Sequence, residues 1–167
     1  MAGQNKRISL IVQAGKLKSM FPGSQVVRNG EESLIWIHTI TPTPLSDKYK
    51  IKIVYRRCKG VKCFVLEPRL QLADGEKVLP HVYSTPEQQL CLFFPDGSEW
   101  NTGMLYTETI VPWASEWLYH YEIWLATGGI WHGGGTLHGS EGDIEESLRV
   151  EVARRNERLN EWEHKKK

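Results

Sequence analysis

The sequence predicts an α+β domain: an N-terminal helix, a meander of about four antiparallel strands, and C-terminal helices. Two observations carry this expectation. Apolar residues recur at roughly helical spacing near the N-terminus and again in two later segments. Between them lie β-branched runs joined by short connections, which suits antiparallel pairing.

The first helix is expected from Gln4 to Met20, with Ile8, Ile11, Val12 and Leu17 on its apolar face and Phe21-Pro22-Gly23 stopping it. Lys6, Arg7, Lys16 and Lys18 give it a basic face without an acidic residue, either solvated or a docking surface. The strands are "SLIWIHTIT" (33–41), "YKIKIVYRR" (49–57) and "VKCFVLEP" (61–68), the last reached through Cys58-Lys59-Gly60. The stretch "RLQLADGEKVLPHVYSTPEQQ" reads as irregular, with a turn at Asp74-Gly75. "VPWASEWLYHYEIWLATGG" reads as a helix. Pro112 fits its first turn, Gly128 or Gly129 its left-handed cap, and Trp113, Trp117, Tyr121 and Trp124 form one aromatic stripe. Near the end, "DIEESLRVEVARRNERLNEWEHKKK" is amphipathic through Ile144, Leu148, Val152, Leu159 and Trp162, acidic first and basic last as the helix dipole prefers. A single domain over 1–167 is expected, with about 163–167 as a frayed tail.

Composition narrows the function. A net charge of +1 argues against nucleic-acid and membrane-surface partners, which usually require a strong basic excess. No run approaches a membrane span, and Gln13 and Lys16 interrupt the N-terminal apolar run, making a poor signal peptide. Cys58, Cys63 and Cys91 are an odd number of thiols, which suits a reducing cytoplasm.

No metal or cofactor is expected. Cys58 and Cys63 have no neighbouring ligands, and His132 and His138 have no third or fourth partner. "GGIWHGGGTLHG" follows a helix rather than a strand and lacks the Lys-Ser/Thr pair of a phosphate loop, so it reads as a connector.

Cys91 has two readings. Between Leu90 and Leu92 a cysteine is commonly a small buried hydrophobe. It also follows a loop-like stretch, precedes the turn Phe94-Pro95-Asp96-Gly97, and has His81 ten residues before it and Trp100 nine after.

The series of one helix, a strand meander, a histidine, a cysteine and a tryptophan resembles the ubiquitin-conjugating enzyme (UBC) fold. In that family a His-Pro-Asn motif precedes the catalytic cysteine at the interval seen here between His81 and Cys91. The segments "LCLFFPDGSEW", "EWLYHYEIW" and "TGGIWHGGGTLH" resemble, more closely, the prokaryotic branch encoded in antiphage cyclic-oligonucleotide signalling (CBASS) operons. This likeness covers Pro80 to His138; earlier residues match in element order alone.

The resemblance implies that Cys91 accepts a protein's C-terminal carboxyl as a thioester, which an amine then attacks to give an amide. A thiolate is a good nucleophile, and a thioester is activated toward amines. The resemblance further implies an acyl donor like a cGAS/DncV-type nucleotidyltransferase, an amine-bearing target protein, and a role in antiviral signalling. No adenylating domain is evident, so an activating enzyme acts in trans or the donor arrives activated by another route.

One departure matters. The family's asparagine aligns with Tyr83, because this chain reads His81-Val82-Tyr83. Its hydroxyl can donate to a developing oxyanion, and the alternative is packing. His81 either shapes the loop or moves protons, and His138 is a further candidate for supporting the site or acting as a base. Two other functions compete: an inactive module of the same fold that only binds, suggested by the missing asparagine, and a Cys-His hydrolase that removes conjugates. The hydrolase lacks a recognisable Asp or Asn to orient its histidine.

Overall fold

The computed structural model describes residues 6–133, all within one compact unit. In chain order the elements are α1 (Leu10–Met20), β1 (Gln25–Asn29), β2 (Ser33–Ile40), β3 (Tyr49–Arg56), β4 (Gly60–Glu67), β5 (Val82–Ser84), β6 (Gln89–Leu90) and α2 (Ile110–Ala126). The α+β class and the N-terminal helix are as the sequence predicts. The expected C-terminal helix beyond residue 143 and His138 lie outside the described residues.

Helix α1 begins later than expected and buries a different face. No acidic side chain lies in its first turn, and the carboxylate of Glu31 takes the Leu10 N–H at 2.9 and 3.0 Å. A distant residue thus supplies the cap that a helix N-terminus needs. The buried positions are Leu10, Gln13 and Leu17, whereas Ile11 and Val12 are 61% and 47% exposed and Ile8 precedes the helix. Gln13 faces inward because its amide serves main-chain groups: Nε2 donates to Met104 O at 2.8 Å, and Oε1 accepts from Tyr106 N at 3.0 Å. Polarity is tolerated there because both ends of the amide are hydrogen-bonded.

Among the described residues the sheet has six strands in the order β1-β2-β3-β4-β6-β5, all neighbours antiparallel. Strands β1 to β4 form a meander. Trp36 pairs with Ile53 and Ile53 with Cys63, and these inward residues are buried with Leu34, Ile51 and Val65. Six strands replace the expected four for a simple reason. The named runs match β2, β3 and β4, but β1 is nearly all exposed, and β5 and β6 are three and two residues long. None of the extra strands is long or buried enough to show an apolar alternation.

The short pair β5–β6 is secured by one side chain. Buried Gln88 has its φ at +53° and donates through Nε2 to Val65 O at 2.9 Å, while its Oε1 accepts from Leu70 N. Its own carbonyl accepts from Val65 N at 3.1 Å. Strand β6 is thereby fastened to the end of β4, and β5 is left at the edge of the sheet.

Helix α2 covers the core face. Trp117, Tyr121 and Trp124 of the expected stripe are buried, with Trp113 only partly so. The helix ends with Gly128 at φ +72° and Gly129 N bonded to Trp124 O at 2.8 Å, a Schellman-type stop as the glycines predicted. Glu122 ties the helix to the β2–β3 connection, accepting from Ser46 Oγ at 2.7 Å, Asp47 N at 3.0 Å and Tyr49 Oη at 2.9 Å.

Candidate active site

Cys91 follows directly on β6, at the point where the sheet gives way to the loop leading to Trp100. Its residue is 8% exposed. Its N–H donates to the carbonyl of His81 at 3.0 Å, and that same carbonyl accepts from Trp117 Nε1 at 3.0 Å. His81 holds a φ of +45°, which non-glycine residues adopt only at a cost and often near functional sites.

The thiol's side-chain partner is Tyr83, one residue into β5 and 48% exposed. The phenol hydroxyl donates to the cysteine sulfur. Burial pushes the Cys91 pKa up to about 11, while this hydrogen bond works against the rise and the nearby Glu99 carboxylate adds to it. The Tyr83 phenol is also raised, first by burial and then by the adjacent sulfur. Glu99 itself accepts from Phe94 N at 2.6 Å, holding the 94–99 loop beside the thiol.

The three cysteines therefore differ sharply. Cys58 is exposed at the β3–β4 turn, and Cys63 is in the core, where burial alone raises its pKa to about 12. Cys91 combines near-burial with a polar partner and an adjacent loop.

An aromatic wall stands behind the site. The His81 imidazole lies 5.2 Å from the Trp131 ring, which packs on Trp117 at 5.6 Å, and Trp117 stacks on Tyr121 at 5.8 Å and 6°. On the other side, Phe93 packs on Trp100 at 5.4 Å. Trp100 is buried, so it acts here through packing. The structure thus brings together Cys91, Tyr83 and the main chain of His81.

Sequence reasoning passed over three contributors: Gln88, Glu99 and the Trp117 indole. Glu99 stood inside the quoted motif beside Trp100 and was legible as a charge near the thiol. The bonds of Gln88 and Trp117 depend on tertiary approach and leave no mark on spacing. Among the described residues, no group of three or more His, Cys, Asp or Glu could hold a metal ion.

A family model described as Type II CBASS E2 protein matches residues 13–139, about three-quarters of the chain. The chain belongs to that family. Membership gives the protein an E2-like role in CBASS defence and implies partners within the CBASS operon. The matched region runs from within α1 past Trp131 and includes every residue of the site described above. Among curated proteins, none matches the chain significantly. None of the described helices is long and apolar enough to cross a membrane.

Proposed function

We propose that this E2-like protein carries the C-terminal acyl group of a CBASS partner as a thioester on Cys91 and transfers it to an amine. In the first step the Cys91 sulfur attacks an activated acyl carbon, the activating group leaves, and the thiol proton passes to solvent or to the leaving group. In the second, an amine attacks the thioester carbonyl, the C–S bond breaks, the amide forms, and the sulfur regains a proton. The partner that fits is a cGAS/DncV-like nucleotidyltransferase offering its own C-terminus, with an activating enzyme acting in trans.

One observation carries the reading: the Tyr83 hydroxyl is bonded to the Cys91 sulfur. Both steps pass through a tetrahedral oxyanion next to that sulfur, and a hydroxyl donor bonded to the sulfur supports a role in stabilising it. The hydrogen bond also favours the thiolate, the form that attacks and the form that leaves. Tyr83 thus takes the part of the asparagine that the resemblance leads one to expect. His81 contributes through its backbone, shaping the approach to Cys91.

The raised pKa and near-burial of Cys91 favour a second reading, a binding module without catalysis. The Cys-His hydrolase gains nothing from this geometry, since the group bonded to the thiol is a phenol. The test is to mix the protein with the nucleotidyltransferase of its operon, the activating enzyme and ATP, and resolve the products without reductant. A thiol-sensitive adduct that disappears in Cys91→Ala supports the transferase. Binding with no adduct supports the module.

A further inference from the structure

We infer that Trp117 is a positioning residue for acyl transfer, its indole N–H fixing the peptide that carries Cys91. The inference rests on the reading of Cys91 as the acyl-carrying thiol. It names a residue 26 positions away in sequence, on a different element, that nothing in the motif around the cysteine announces.

The geometry is a single acceptor with two donors. The His81 carbonyl takes the Cys91 N–H at 3.0 Å and the Trp117 Nε1–H at 3.0 Å. Gln88 and the β4–β6 pairing fix this stretch up to Leu90, but the ladder beyond is short. Strand β6 has two residues and β5 three, and the β5–β6 pairing is irregular between Val82 and Ser84. His81 is moreover held at φ +45°, a conformation from which the chain gains by relaxing. A ladder this short and strained does not by itself define where the sulfur lies.

Trp117 brings rigidity from elsewhere. It is 5% exposed on a 17-residue helix and stacks on Tyr121, whose hydroxyl accepts from Gln71 N at 2.8 Å and donates to Gln71 O at 3.3 Å. One face of α2 thus grips the 71–81 segment near both ends, and the grip at the far end is on the residue paired to Cys91. Among the described residues the Trp117 indole N–H donates to a main-chain carbonyl, and that carbonyl also holds the Cys91 amide.

The consequence is kinetic. Transfer requires the thioester carbonyl, the amine and the Tyr83 hydroxyl in one geometry, and small misplacements slow such steps steeply. Without the Trp117 donor, the His81 carbonyl loses one of the two donors described for it, and the Cys91 amide bonded to it is less firmly placed.

Trp117→Phe keeps a ring against Tyr121 and removes the N–H. Two quantities are read at constant pH: hydrogen exchange at the Cys91 amide, and single-turnover discharge of the preformed Cys91 thioester to a free amine. The expected result is that exchange accelerates and discharge slows, each by about tenfold. KM for the amine should hold, because the variant misplaces the thioester and leaves the amine's approach intact. Tyr121→Phe is the control: it loses the Gln71 bonds but keeps the ring against Trp117 and the His81 carbonyl bond, so it slows discharge less than Trp117→Phe does. If Trp117→Phe does not fold, the benzothiophene isostere of tryptophan at position 117 keeps the bicyclic volume and removes only the donor.

Wild-type exchange and discharge in the donor-free variant overturn the inference. So does faster exchange with unchanged discharge, or equal slowing in Tyr121→Phe. Failure of the wild-type protein to form any thioester refutes the proposed function instead, and the amide exchange still reports whether Trp117 anchors the peptide.

Discussion

The hydroxyl of Tyr83 donates to the sulfur of Cys91 across the irregular β5–β6 pair, so a half-exposed edge-strand side chain meets a nearly buried thiol. Here the ring is half exposed and the polar end is engaged.

Tyr83→Phe should slow discharge of the Cys91 thioester by about 100-fold, the usual consequence of losing one oxyanion donor. The same variant should raise the Cys91 pKa, because the bond it removes favours the thiolate. Single-turnover discharge and the pH profile of alkylation measure the two effects. Unchanged values for both, with an unchanged melting temperature, leave Tyr83 with a packing role.

Cys91 should alkylate slowly at neutral pH, with a rate that climbs about tenfold per pH unit and levels off near pH 11. Stability follows the same linkage. The folded pKa lies above the ordinary value of 9.0, so the thiol form favours folding, and that contribution is present below pH 9 and lost as pH rises toward 11. Denaturant unfolding should therefore show a smaller stability loss between pH 9 and 11 in Cys91→Ser than in the wild type.

Glu99→Gln should lower the Cys91 pKa and speed alkylation by less than about tenfold, since an exposed carboxylate acts weakly through solvent. The amide oxygen of glutamine still accepts from Phe94 N–H, so the loop is kept. Raising the ionic strength should bring the wild type toward the variant. A variant that alkylates more slowly would mean that loop geometry outweighs charge.

Gln13→Leu should destabilise the fold by about 2 kcal/mol or more, because it strands the Met104 carbonyl and the buried Tyr106 N–H. The substitution looks favourable by hydropathy alone. Chemical denaturation decides between the two expectations.

Cys91→Ala should abolish adduct formation with the fold retained, while Cys58→Ser should leave it intact. Cys58 is exposed in the β3–β4 turn, whereas Cys91 is bonded to the Tyr83 hydroxyl. Non-reducing electrophoresis with thermal melting checks each.

The sequence by itself determined the strands whose alternation is strong, the aromatic helix with its glycine stop, and the segment in which Cys91 lies. Each is a local pattern: the period of a strand such as Tyr49–Arg56, the stripe of Trp117, Tyr121 and Trp124, the spacing of His81 and Cys91. The tertiary structure decided what those patterns serve. Glu31 caps a helix 21 residues earlier in the chain, Gln13 takes a core position that hydropathy gives to Ile11 or Val12, and Gln88 holds a strand of two residues. The Trp117 bond to the His81 carbonyl is of the same kind. Such bonds are directional and short-ranged, so they exist only once distant segments have met, and a hydrophobic period cannot encode them. Burial likewise sets the Cys91 thiol's acidity, because desolvation depends on what the finished fold packs around the sulfur.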